Sequence, residues 1–335
     1  MQHHAPHAGA TFEGYYSKFT LPSGAQLVVV ISKINQVKIR PNVLSLTYIP
    51  HDTRPMYQTE LFIDALDMRR VAKGGNAFIL DMPGIGFAKW DEDGRMEYSL
   101  KHAAFSLQAQ TTNRVPWSSE TDTPEGPLVH LPLPLHWHVQ SFASDCNFKM
   151  NISDYDCPSE DAAGEATVHQ EKNWATAFPT AHMWLQGRDG EKGICCAGGE
   201  ILGIKAFLLG YRSSDLNFDF RPPFAVRMLG IGPFMSYSMD WEKRTFDLSV
   251  QSFKRKIAIH ASAPVGSFYS LSPPFAEGHR ENYLGQSLRA KIEVKIYESG
   301  WIGAWRLVRE DVFEGGGLEF GAGYYTPAGT EAKFN

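Results

Sequence analysis

The chain has 335 residues, a formal net charge of -5 and 43% hydrophobic residues, enough for two domains or one large all-β body. Lys and Arg are scattered, which argues against a nucleic-acid surface; the one basic run, Lys254-Arg255-Lys256, follows a strand-like segment and reads as a hairpin turn or edge. No run of 18 apolar residues exists, so no integral membrane span is expected, and the polar, His-rich N-terminal segment lacks the apolar core of a secretory signal.

Aromatic residues make up 13% of the chain, with 21 Phe, 13 Tyr and 8 Trp, a composition that favours strands and apolar ligand pockets. The four cysteines, Cys146, Cys157, Cys195 and Cys196, lack zinc-site spacing; the adjacent pair suits buried strand thiols better than a disulfide framework. A reducing, cytoplasmic location is therefore expected, and the sequon at Asn151 reads as chance.

In chain order, Gln26 to Ser32 is a Val-rich strand after a Pro22-Ser23-Gly24 turn, and Asn42 to Ile49 is a second strand. Tyr57 to Met68 is the one helix candidate, with a strand as the alternative. Phe87 to Trp90 and Arg95 to Leu100 flank Asp91-Glu92-Asp93-Gly94, a hairpin in which glycine supplies positive φ; the acidic cluster lacks the ligand spacing of a calcium loop. Ala103 to Gln110 alternates. Residues 111–135, rich in Pro, Ser and Thr, read as a long surface loop or lid. His136 to Phe142 and Asn147 to Ile152 read as a strand pair, followed by an acidic loop over residues 153–163. Beyond the Gly187 to Gly193 turn come short strands to the C-terminus, interrupted by a loop over residues 264–286. Strands at this spacing, without βαβ alternation, indicate barrels or sandwiches, and the turn near residue 190 suggests two domains, 1–190 and 191–335.

Few motifs carry chemistry. A Gly-x-Ser-x-Gly elbow is absent, and the glycine-rich tail from Gly315 to Gly323 has no following helix, so it reads as a closely packed strand rather than a phosphate cradle. His136 and His138 share one face of a strand, and His169 is in principle available as a third ligand, but the spacing does not define a metal site; hydrogen bonding in a pocket is the better reading. Glu171, Lys172, Asn173 and Trp174 stand in a row between strand-like segments. Charges beside an indole are poor core material unless paired, so they are solvated or placed for a purpose. In an extended strand Glu171 and Lys172 point to opposite faces, and Glu13 is either a surface charge or a buried partner for a cation such as Lys172.

These residues resemble the tocopherol cyclase family. His7, Ala8 and Gly9, followed by Phe12-Glu13-Gly14-Tyr15-Tyr16, are similar to its N-terminal signature; Glu171-Lys172-Asn173-Trp174, Phe178-Pro179 and Trp184-Leu185-Gln186 resemble its Glu-Lys-Asn-Trp block and companions. Pro134-Leu135-His136-Trp137 and the closing Leu318 to Gly323 have counterparts too. Ala175 and Tyr15 depart from the family pattern, and the chain looks more like the short fungal secondary-metabolism members, kin to lipocalin-like Diels–Alderases. The resemblance implies two lipocalin-like antiparallel barrels and a cofactor-free cyclase or pericyclase acting on a hydrophobic polyketide, terpenoid or prenylated phenol. Glu171, Lys172 and Asn173 would be catalytic; Trp174, His136, His138, His169, Trp184, Gln186, Glu13 and Tyr15 would line the substrate site. No metal or cofactor is expected. Holding a flexible chain folded is worth up to roughly 7–11 kcal/mol of the barrier. Ring closure of the Diels–Alder, hetero-Diels–Alder or conjugate-addition type is the leading expectation, because the chain departs from the plant pattern; alkene protonation by Glu171, hydration of an isoprenoid double bond and simple ligand binding are the alternatives.

Overall fold

The structure, a computed structural model, describes residues 3–119, 121–300 and 303–330. It divides into two compact units. The first runs to Thr176 and takes in Pro274–His279; the second holds Ala177–Pro273 and the chain from Arg280 onward. The division thus falls ahead of residue 190. The Gly187 to Gly193 turn instead sits within a hairpin, because a turn inside a sheet and a turn between domains have the same local chemistry.

The first unit is an antiparallel meander: β1 (Phe12–Thr20), β2 (Gln26–Ile34), β3 (Asn42–Ile49), β4 (Tyr57–Phe62), β5 (Asp67–Arg70), β6 (Phe78–Met82), β7 (Gly86–Trp90), β8 (Met96–Lys101), β9 (Phe105–Thr111), β10 (Leu135–Ile152) and β11 (Ala163–Ala175). The spatial order is β4-β3-β2-β1-β11-β10-β9-β8-β7-β6-β5. The last strand therefore returns to pair with the first, which is the connectivity of an up-and-down barrel with its ladder interrupted between β4 and β5. A helical turn, α1 (Ser159–Ala162), links β10 to β11. Its Asp161 is fully buried and accepts from Ser23 Oγ and Tyr48 Oη, both at 2.7 Å.

Alternation builds the interior. Phe105, Leu107 and Ala109 of β9 point inward between exposed or half-buried neighbours. With Tyr15, Phe19, Phe78, Trp90 and Tyr98 they form one core; the Phe78 and Trp90 rings stack at 4.6 Å. Large side chains thus fill this barrel.

The second unit repeats the plan with β12 (Ala181–Asp189), β13 (Lys192–Ile201), β14 (Ile204–Arg212), β15 (Phe218–Phe220), β16 (Val226–Met228), β17 (Met235–Asp240), β18 (Thr245–Gln251), β19 (Arg255–Ser262) and β20 (Tyr269–Leu271). The small hairpin β21 (Pro274–Phe275) and β22 (Gly278–His279), which belongs to the first unit, comes next in the chain. The long strands β23 (Leu284–Ser299) and β24 (Trp305–Ala322) complete the second unit. Here β24 pairs back on β12, as β11 does on β1. Its core holds Phe207, Phe246, Phe268, Phe313 and Phe320.

The all-β reading holds, with local corrections. Tyr57 to Met68 forms β4 and the start of β5 rather than a helix, since both strands find ladder partners that outweigh a weak helical period. His136 to Ile152 is one strand, β10, whose register shifts between Val139 and Ser144 mimic a turn in the sequence. The stretch 111–135, read as a surface loop or lid, has Trp117, Thr123 and Glu125 buried. The stretch 264–286 contains β20, β21 and β22. The basic run at 254–256 does turn a hairpin, with Ser252 N donating to Arg255 O. All four thiols are free. Among the described residues no helix is long and apolar enough to cross a membrane.

Candidate functional site

The Glu-Lys-Asn-Trp block lies on β11, so its members alternate between two faces. Pairing with β1 sets Tyr15 opposite Lys172 and Glu13 opposite Trp174; pairing with β10 sets His138 opposite Lys172 and His136 opposite Trp174. Glu13, Tyr15, His136, His138, Lys172 and Trp174 therefore gather on the inner face, at one end of the barrel. Glu171, His169 and Asn173 stand on the outer face.

On the inner face the Lys172 side chain is fully buried and its ammonium lies 2.6 Å from Glu13 Oε1. Lys172 Nζ also donates to the carbonyls of His3, His4 and Ala5 at 3.1, 3.0 and 2.7 Å. The rings of Tyr15 and Trp174 flank it at 5.2 and 5.1 Å, within cation–π range. Glu13 further accepts from Tyr15 Oη at 2.9 Å and from the His7 backbone N–H at 2.8 Å. Burial draws the Lys172 ammonium down to about 8 against the pull of Glu13. Burial works to raise the Glu13 carboxyl, but the Lys172 charge and the hydrogen bonds from His7 and Lys172 hold it at about 2. The pair is charged at neutral pH.

Imidazoles surround this ion pair. His136 Nδ1 donates to buried Glu125 at 2.8 Å, and its ring stacks on Trp174 at 4.9 Å. His138 is 1% exposed, and among the described residues neither of its nitrogens has a hydrogen-bond partner. Burial, with the charge of Lys172 among the lesser causes, holds it well below the usual imidazole range, so it is neutral. Arg114 donates to Gln140 O at 2.7 Å and to His4 Nε2 at 3.3 Å, and pairs with Asp122.

On the outer face a second arrangement forms. Glu171 Oε2 accepts from Trp137 Nε1 at 2.8 Å, and Glu171 Oε1 lies 2.7 Å from His169 Nε2. His169 Nδ1 lies 3.1 Å from the carbonyl oxygen of Phe142. A carbonyl only accepts, so Nδ1 carries a hydrogen. The 2.7 Å contact of Nε2 with the carboxylate completes a carboxylate–imidazole pair whose ring orientation is fixed by the Phe142 carbonyl. Both residues are buried. Asn173, by contrast, is exposed, with its amide oxygen against Gly14, where an added Cβ would lie 2.9 Å away.

Trp184 and Gln186 are buried on β12 in the second unit, on the face turned away from core residues Met183 and Leu185. The Trp184 ring packs on Gly317, where an added Cβ would lie 2.4 Å from it. Across that face Gln286 Nε2 donates to Glu319 at 2.8 Å, and Tyr269 Oη donates to Gln286.

Sequence reasoning left Glu13 as a surface charge or a partner of Lys172, and named Trp174, His136 and His138 as candidates for one substrate site; the structure brings these residues together. It missed the His169–Phe142 contact, Glu125, Arg114 and the seating of His3 to His7, because each depends on a segment distant in sequence. The only trace of the last was the histidine density of the N-terminal segment.

No family model and no curated protein matches the chain. Solved structures do. Kievitone hydratase from Nectria haematococca is 12% identical, with a TM-score of 0.55 over 96% of this chain and 91% of that one. CghA, crystallised with Sch210972, is 10% identical with a TM-score of 0.53, over 93% and 88%. The Nitrosomonas europaea protein NE1406 is 11% identical with a TM-score of 0.53, over 96% and 95%. The chain shares their lipocalin-like antiparallel β fold.

Proposed function

We propose that this chain is a lipocalin-like enzyme of the cyclase or hydratase type that acts on a hydrophobic small molecule by proton transfer. The observation that carries this reading is the buried Glu171–His169 pair, with carboxylate and imidazole 2.7 Å apart. A buried carboxylate–imidazole dyad with a fixed Nδ1–H is suited to general acid–base work. In the ring-closing form, the dyad protonates an alkene carbon. A phenol oxygen of the same molecule then bonds to the resulting cation, and the phenolic proton returns to the dyad. The product has the mass of the substrate. With water in place of the phenol, the same steps add one water. A prenylated phenol or polyketide intermediate of secondary metabolism suits both, in line with the tocopherol-cyclase-like motifs. Conjugate addition uses the same dyad, whereas pericyclic closure moves no proton and would rest on polarisation by groups such as Lys172 or His138. The four free thiols are in keeping with a reducing, cytoplasmic setting.

The test is turnover of prenylated-phenol and polyketide precursors followed by product mass, with wild type and Glu171→Gln. Loss of about 10²–10⁴-fold in kcat with unchanged substrate affinity supports proton transfer. Full turnover by the Gln variant would overturn it and leave pericyclic templating; bound but unconverted precursor with wild type would make the protein a binder.

A further inference from the structure

A separate arrangement lies on the opposite face of β11. Residues 3–7 read His-His-Ala-Pro-His, which is poor core material, yet His4 and Ala5 are 2% and 1% exposed. The segment is held by ligand-like contacts: the carbonyls of His3, His4 and Ala5 on the Lys172 ammonium, the His7 N–H on Glu13, and the rings of His7 and His3 laid parallel to Trp174, 4.1 Å at 9° and 5.6 Å at 13°. Meanwhile His138, edge-on to the His3 and His4 rings at 6.1 and 6.3 Å, is buried with both nitrogens unpartnered among the described residues. Buried polar atoms in native proteins nearly always find partners. The segment satisfies Lys172 and covers Trp174 but leaves His138 unmet.

We propose that residues 3–7 are a tethered occupant of a ligand site in the mouth of the first barrel, and that the ligand displacing them is a neutral planar compound with an aromatic ring, an acyl oxygen and an N–H or O–H donor. Each element replaces one contact of the segment. The acyl oxygen takes the place of the backbone carbonyls on Lys172, the ring takes the place of the imidazoles on Trp174, and the donor takes the place of His7 N–H on Glu13. His138 supplies the contact that the segment does not use. Neutrality follows from Glu13, which already balances the ammonium; a second carboxylate beside it would be repelled. The site does not depend on the Glu171–His169 dyad.

The test uses the full chain and 4-hydroxybenzamide as probe, with benzoate as the charged control. Affinity is measured by calorimetry for wild type, the double variant His3→Ala/His7→Ala, and His138→Phe. Neither His3 nor His7 lies in a strand, so the barrel ladder is untouched by the double variant. Removing the two imidazoles strips the occupant of its ring contacts with Trp174 and weakens its competition, so the double variant is expected to bind the probe at least about tenfold more tightly than wild type. His138→Phe is expected to bind it at least about tenfold less tightly, and benzoate to bind at least about tenfold less tightly than the amide. In wild type saturated with probe, amides of residues 3–9 are expected to lose hydrogen-exchange protection. Equal affinity in wild type and double variant, no binding by either, retained protection at saturation, or equal binding of benzoate would each overturn the proposal.

Discussion

Lys172 and Glu13 join β11 to β1 by a 2.6 Å ion pair inside the barrel, at the seam where the last strand of the unit closes on the first. With both side chains at most 3% exposed, neither charge has water to fall back on. Breaking such a pair from one side leaves an uncompensated charge and typically costs about 3–5 kcal/mol. Glu13→Gln and Lys172→Met are each expected to destabilise by that amount, and the double variant by clearly less than the sum. Urea unfolding of the four proteins measures this; additive losses would show that the charges act independently.

Acid should weaken the same region. The Glu13 carboxyl sits at about 2 in the fold against an ordinary 4.5, so its contribution is complete above pH 4.5 and is lost as pH falls toward 2. Imidazoles add to this loss from a higher pH. Burial lowers His3 to about 4 and His4 to about 3, and lowers His7 and His138 as well. The unfolded chain therefore binds protons from pH 6.5 downward while the fold does not, and stability falls over that window. Thermal midpoints between pH 7 and 3.5 should decline, and His138→Phe should flatten the upper part of the decline. An unchanged slope in that variant would remove His138 from the account.

The outer-face dyad predicts a rate effect. Trp137 Nε1 donates to Glu171 Oε2 and so holds the carboxylate in place against His169. Trp137→Phe removes that donor and leaves the carboxylate free to turn. With a converted precursor, kcat is expected to fall while KM is unchanged. An unchanged kcat would mean that the position of Glu171 is not needed in turnover.

Two glycines of β24 are required by close approach. A Cβ at Gly317 would lie 2.4 Å from the Trp184 ring, and one at Gly321 would lie 1.9 Å from the His182 ring. Gly317→Ala and Gly321→Ala are each expected to cost about 1–3 kcal/mol through overpacking. Gly303→Ala is the contrasting case: an added Cβ there meets no atom of the described residues within 4 Å, and the strain comes from its φ of 77°. Denaturant midpoints would separate clash from backbone strain; a Gly317→Ala protein as stable as wild type would show that Trp184 is free to move aside.

What the sequence determined by itself was local. Alternation, aromatic content and turn residues specified strands. Extended geometry alone placed Glu171 and Lys172 on opposite faces, and the glycine tail was legible as a packed strand because it lacked a following helix. Glu13 as partner to Lys172 was one of two options that charge and burial left open. The tertiary structure chose between them, because only the return of β11 to β1 brings residues 159 positions apart into register. The same long-range register joined His169 to Phe142 and Glu171, buried Glu125 under His136, and seated residues 3–7 on Lys172. Local composition cannot encode such contacts, since they arise where strands and loops distant in sequence meet. That is also why the turn near residue 190 read as a domain boundary, although it is the tip of a hairpin.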